Sequence, residues 1–180
     1  MGLADQLTVA RVVATPFVVI LFIWNFDNHA YWATALFMAA MATDQVDGWL
    51  ARRQGRTTPL GSLLDPVADK VLVLSTLIVL VGEGVFAGWM VAAIVAREIL
   101  ISGLRLAAVE RGIVIQARDL GKLKTWAQSV AAAIGGFALA GAWSESVAWW
   151  SLLVAVVLTW VSGLDYARVA PALIRGRALA

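Results

Sequence analysis

Residues 71–96 read VLVLSTLIVLVGEGVFAGWMVAAIVA, with Glu83 as the single charged side chain. Extended outward to 63–82 and 86–109, each arm is long enough to cross a hydrocarbon layer of ~30 Å as a helix, which takes about 20 mostly apolar residues. Between the arms, Gly82-Glu83-Gly84 is a turn signal. The unit is therefore a pair of antiparallel spans joined by a short hairpin. The same pattern recurs on both sides of it. Asn25-Phe26-Asp27-Asn28-His29 separates 9–26 from 31–52, and Trp143-Ser144-Glu145-Ser146 separates 121–142 from 147–167. The 180 residues thus read as one domain, 1–180, an all-α integral membrane protein of six transmembrane helices. A short interfacial segment at about 1–8 precedes the first span.

Composition points the same way. The chain is 61% hydrophobic and 14% charged, against roughly 45–50% and 25% in soluble domains. A formal net charge of +2 is too small for the electrostatic footprint of a nucleic-acid binder, so no nucleic-acid partner is expected. Cysteine is absent, which excludes a disulfide framework, a thiolate metal site and a cysteine nucleophile. A metal would have to be held by oxygen or by His29, the single histidine, which reads as a solvated residue of the first hairpin. The first apolar stretch lacks a small-residue cleavage pattern after it and is read as a retained helix.

The three hairpins carry Asp27, Glu83 and Glu145 but no lysine or arginine. The opposite side collects Arg52, Arg53, Arg56, Arg105, Arg111, Arg118, Lys122, Lys124, Arg168, Arg175 and Arg177. The positive-inside rule then puts both termini and the two longer connections in the cytoplasm. Trp24, Trp32, Trp89, Trp143, Trp149 and Trp150 flank the acidic hairpins, where an amphipathic indole prefers the headgroup level. In the fifth span, Ala131-Ala132-Ala133-Ile134-Gly135-Gly136 with Ala140 and Gly141 lets another helix approach closely, from the same chain or from a partner.

Four acids stand where lipid-facing helices carry none: Asp44 and Asp47 late in the second span, Asp65 and Asp69 early in the third. Each is costly at depth unless paired or turned to a polar cavity. At about 100° per residue, the first pair lies about 60° apart and the second about 40° apart around its helix, so each pair shares a face. The connection between them is short, which makes the two helix ends antiparallel neighbours with converging acidic faces. Four gathered carboxylates repel, and a hard divalent ion such as Mg²⁺ or Mn²⁺, or two bridged ions, relieves the repulsion while keeping sites for phosphate oxygen. Gly48 and Ala51 remove bulk beside the acids, Arg52 adds a fork suited to phosphate, and Gly61 and Pro66 mark the start of the next helix. The ensemble suits a metal-bound pyrophosphate.

Asp44-x-x-Asp47-Gly48-x-x-Ala51-Arg52, eight further residues, then Gly61-x-x-x-Asp65-x-x-x-Asp69 resembles the signature of the CDP-alcohol phosphotransferase family at all eight defining positions. The resemblance implies that Asp44, Asp47 and Asp65 coordinate Mg²⁺ or Mn²⁺, two ions in all. Asp69 would face the attacking alcohol as general base and also touch a metal. Gly48, Ala51 and Arg52 would contact the cytidine diphosphate of the donor, and Gly61 would leave room for the nucleotide. A homodimer is implied as well.

For the acceptor, Glu98, Ser102 and Arg105 fall on one stripe of the fourth span. Glu98 is expected to pair with Arg105 or another cavity arginine, and a purely structural ion pair is an equal reading. Arg105, Arg111, Arg118, Lys122 and Lys124 line the acid side, where topology and anionic lipid alone would also favour them. The string from Arg97 to Arg105, with Glu110-Arg111-Gly112, Leu120 to Thr125, and the opening Leu7-Thr8-x-x-Arg11 and Pro16, is similar to the phosphatidylglycerophosphate-forming branch of that family. It implies CDP-diacylglycerol as donor and glycerol 3-phosphate as acceptor. The acceptor phosphate would be held by those five basic residues and Arg168, whose alternative is a snorkelling helix-end arginine. The setting implied is the bacterial inner membrane, with the active site on its cytoplasmic side. Rival acceptors would give cardiolipin, phosphatidylserine or phosphatidylinositol phosphate. A cation transporter could also bury acids, but it gives no reason for Gly48, Ala51 and Gly61 at these intervals.

Overall fold

Each of the three breaks holds one residue with left-handed backbone: Asn28 (φ 61°), Gly84 (φ 79°) and Gly141 (φ 75°). At Gly84 the N–H of Val85 donates to the Leu80 carbonyl at 3.0 Å, and that of Gly84 to the Val81 carbonyl at 3.1 Å. Ala142 and Gly141 repeat the pattern on Phe137 and Ala138, both at 2.9 Å. The paired bonds satisfy carbonyls that a helix end leaves open, in a conformation glycine adopts without a Cβ clash. At the first break the tie is different. His29 Nδ1 lies 3.3 Å from the Leu21 carbonyl, to which it donates, so this half-buried histidine fastens the hairpin rather than standing free in solvent.

These turns belong to a computed structural model that describes the backbone of residues 3–54, 59–110 and 119–174, and the side chains of 9–43, 67–68, 70–108 and 120–165. Among the described residues there are six helices and no strand: α1 (Leu3–Ile23), α2 (His29–Gln54), α3 (Pro59–Gly82), α4 (Gly88–Glu110), α5 (Asp119–Leu139) and α6 (Glu145–Ile174). Each expected span corresponds to one of them, with 9–26, 86–109 and 121–142 overrunning the hairpin end of α1, α4 and α5 by two or three residues. Two starts differ. α1 is continuous from Leu3 through the stretch expected to lie at the interface. α3 begins at Pro59, a few residues before the expected span at 63 and the Gly61 and Pro66 markers, because Pro59 already has the fixed φ suited to a first helical turn.

α1 packs on α2 and α3, α5 on α6, α2 and α3, and α4 on α6 and α3. The central place of α5 follows from its small residues. Ala131, Ala132, Gly135 and Gly136 are buried, and a Cβ on Gly135 would stand 2.5 and 2.7 Å from ring atoms of Phe86 and 2.9 Å from Leu80 Cδ1. Thr34 of α2 sits directly over Gly136, with its own hydroxyl satisfied by the Ala30 carbonyl. The small-residue face of the fifth helix therefore meets helices of this same chain. These contacts, with the Tyr31–Phe137 and Phe137–Trp143 ring pairs, bring all three hairpins to one end of the bundle.

Phe22, Phe37, Leu72, Leu77, Leu80, Met90, Ile94 and Leu152 fill the interior. The exterior is apolar too: Phe17, Ile78, Ile99, Leu100, Leu106, Leu123, Val157 and Leu164 are exposed. Water would select a polar outer face. Among the described residues the segment Glu145–Asp165 is, by length and composition, able to cross a membrane, with shorter apolar helices at Val9–Ile23 and Lys70–Gly82. α4 is interrupted by Arg97, Glu98 and Arg105. All six hairpin tryptophans are exposed, from 36% at Trp149 to 68% at Trp24.

Candidate functional site

The eight motif residues divide between two helices. α2 carries Asp44, Asp47, Gly48, Ala51 and Arg52, and α3 carries Gly61, Asp65 and Asp69, all in the half of the bundle away from the hairpins. Helical backbone at these positions puts Asp44 and Asp47 on one face of α2, and Asp65 and Asp69 on one face of α3. The side chains of these eight residues lie outside the described residues, as do Arg111 and Arg118 entirely and the side chain of Arg168 on α6. Sequence spacing predicts α2 and α3 as direct antiparallel neighbours. Among the described residues α1 and α5 each lie against both helices.

Among the described residues no group of three or more His, Cys, Asp or Glu side chains is placed to hold a metal ion. His29 is spent at the opposite end of the bundle. The aspartate quartet remains as the candidate ligand set, and its all-carboxylate chemistry fits a hard divalent ion such as Mg²⁺ or Mn²⁺.

Beside the acid-bearing turns of α3 lies a charged cluster that joins four helices. Glu98 of α4 is 4% exposed. Its Oε1 accepts from Arg97 Nη1 at 3.0 Å and from the Lys124 ammonium of α5. Lys70 of α3, the residue after Asp69, places Nζ 3.5 Å from Glu98 Oε2 and donates to Ser102 Oγ at 2.7 Å. Arg97 reaches the other way and donates through Nη2 to Ser162 Oγ of α6 at 3.0 Å. It runs past Gly163, where a Cβ would stand 3.0 Å from Nε. One turn toward the hairpins, Gln128 Nε2 donates to Thr159 Oγ1 at 2.8 Å. Buried charges persist only when paired and hydrogen-bonded, and here one carboxylate serves three cations.

The expected acceptor residues are thus not equivalent. Lys122 is exposed near the start of α5, Arg105 is half-buried on α4, and Lys124 is buried against Glu98. The expected stripe of Glu98 and Ser102 is there, and the cavity arginine next to Glu98 is Arg97. Lys70, Arg97 and Ser162 have no role in the sequence reading. The signal for Arg97 was a charge inside an otherwise apolar run, and for Lys70 a cation directly after Asp69. The gap from Arg97 to Ser162 hides the third.

The CDP-alcohol phosphatidyltransferase family matches residues 1–161. The CDP-diacylglycerol--glycerol-3-phosphate 3-phosphatidyltransferase of Bacillus subtilis (strain 168) is 38% identical over 181 residues, covering 92% of this chain and 93% of the relative. The protein of the same name from Shigella flexneri is 40% identical over 171 residues, with 92% and 93% covered. A probable phosphatidylglycerophosphate synthase of Mycobacterium tuberculosis (strain ATCC 25618 / H37Rv) is 38% identical over 168 residues, with 92% and 79% covered.

Proposed function

The chain belongs to the CDP-alcohol phosphatidyltransferase family, and from that premise we propose that it transfers the phosphatidyl group of CDP-diacylglycerol to glycerol 3-phosphate, giving phosphatidylglycerophosphate and CMP. The observation that carries this reading is relatives so named that are 38% and 40% identical over 92% of the chain. The aspartate, glycine and arginine motif on α2 and α3 supports it chemically.

In this reading the acceptor hydroxyl of glycerol 3-phosphate attacks the β-phosphorus of the donor. The new P–O bond forms as the bond to CMP breaks, CMP leaves with the bonding electrons, and Asp69 takes the hydroxyl proton. Members of the family generally depend on a divalent metal. Asp44, Asp47, Asp65 and Asp69 would hold two Mg²⁺ or Mn²⁺ ions, whose positive charge would offset the negative charge of the pyrophosphate and the departing nucleotide. Gly48, Ala51 and Gly61 leave room for the cytidine diphosphate, and Arg52 meets its phosphate as a fork. Arg105, Arg111, Arg118, Lys122, Lys124 and Arg168 attract and seat the acceptor phosphate.

The same proposal sets all six helices across a bacterial inner membrane, with both termini and the acid end in the cytoplasm, as a homodimer. Exposed apolar side chains around the bundle and exposed tryptophans at the hairpins support the bilayer. Lipid donor would then enter sideways and the water-soluble acceptor from the cytosol.

The test is CMP release from CDP-diacylglycerol by purified protein in mixed micelles. CMP and phosphatidylglycerophosphate are expected only when glycerol 3-phosphate and Mg²⁺ or Mn²⁺ are both present. Turnover with serine, inositol phosphate or phosphatidylglycerol in its place reassigns the acceptor. No CMP with any of them overturns the reading.

A further inference from the structure

Glu98 has no part in the reaction above, yet it is the only buried carboxylate among the described residues. It gathers cations from three helices: Arg97 from its own α4, Lys70 from α3 and Lys124 from α5. A structural ion pair needs one cation for one carboxylate. Among the described residues three cations meet this one carboxylate, and they are not equally enclosed. The Lys70 side chain is 38% exposed, against 5% for Arg97 and 10% for Lys124. Lys70 is also the neighbour in sequence of Asp69, so the most exposed of the three lies along the helix turn that carries the proposed base.

Resting on the function proposed above, we infer that Glu98 is a positioning residue for the acceptor. It does not touch the substrate. Its two oxygens hold the ammonium groups of Lys124 and Lys70 and one arm of Arg97, while Ser102 and Ser162 fix the far sides of Lys70 and Arg97. Each ammonium has three donors, and this anchoring directs those not used within the cluster. The chemistry that matches three converging cations with oriented N–H donors is a phosphate dianion. Without the carboxylate the lysines would keep their charge but lose their direction.

The test uses full-length protein and the CMP assay, with KM measured separately for both substrates in Glu98→Gln, Lys124→Met and the double variant. Glu98→Gln is expected to raise KM for glycerol 3-phosphate about tenfold while KM for CDP-diacylglycerol stays within about twofold. On top of Lys124→Met, the same change is expected to add clearly less than its effect of about tenfold alone, because one of the cations it directs is gone. Glu98→Asp keeps the charge but withdraws it by one methylene. Its acceptor KM is expected to rise about threefold, which carries the test alone if the glutamine variant does not fold. Unchanged acceptor KM, an equal rise for both substrates, or independent multiplication of the two substitutions overturns the inference. Wild-type protein that is inactive with glycerol 3-phosphate removes the parent reading and this inference together; an active wild type with an unmoved Glu98→Gln removes the inference alone.

Discussion

At the hairpin end, α5 meets its neighbours through glycine, with the Phe86 ring and Leu80 standing over Gly135 and Thr34 over Gly136. Roughly 16 Å further along the same helix, at 1.5 Å per residue, Lys124 is tied to Glu98 and through it to Arg97 and Lys70. The first contact consists of shape alone, the means by which helices associate where lipid is as apolar as any side chain. The second spends desolvation on four charges, which lipid tolerates only for pairing or function. A single helix thus carries both the scaffold and the polar interior, and the two can be perturbed separately.

The largest effect is expected at the charged end. Asp69→Asn removes the proposed proton acceptor, and CMP release should fall by about 10²–10⁴-fold while donor binding, followed by equilibrium dialysis with CDP-diacylglycerol micelles, persists. Turnover near wild type would strip Asp69 of that role and leave the charged end without a base.

A smaller effect, of a different kind, is expected at the hairpins. Gly135→Ala pushes a methyl into Phe86 and Leu80, both buried, at a cost of about 1–3 kcal/mol for overpacking. Thermal unfolding in detergent should show it, with KM for both substrates unchanged. A shifted KM would mean that the two ends are mechanically coupled. Smallest of all, Gln128→Leu breaks the bond to Thr159 that lies between the two regions, and about 0.6 kcal/mol is the usual worth of such an interhelical bond. A loss several times larger, read from the same melts, would extend the charged network one turn toward the hairpins.

Much of this could be read from the residues in order. The hairpins were visible because glycine, asparagine and acids interrupt apolar runs, and the left-handed backbone at Asn28, Gly84 and Gly141 is what those residue types permit. The two acid pairs could each be assigned to one helix because their members lie within a few residues of one another. His29 was misread as solvated, because its acceptor is a backbone carbonyl eight residues earlier, and a carbonyl has no signature in sequence. The first turn of α3 lies a few residues before the expected 63, since Pro59 satisfies the local rule for a helix start as well as Pro66 does.

Periodicity, composition and local spacing are short-range properties, and by themselves they determined six helices, three hairpins at one end and two acid pairs each confined to a helix face. Which helix touches which depends on side-chain volume summed over residues far apart in the chain. Only the tertiary structure set α5 against α2, α3 and α6, gave Glu98 its three cations and brought Arg97 to Ser162, 65 positions along. The physical reason is that a buried charge takes whichever partner the packing delivers, and packing is decided by the whole chain at once.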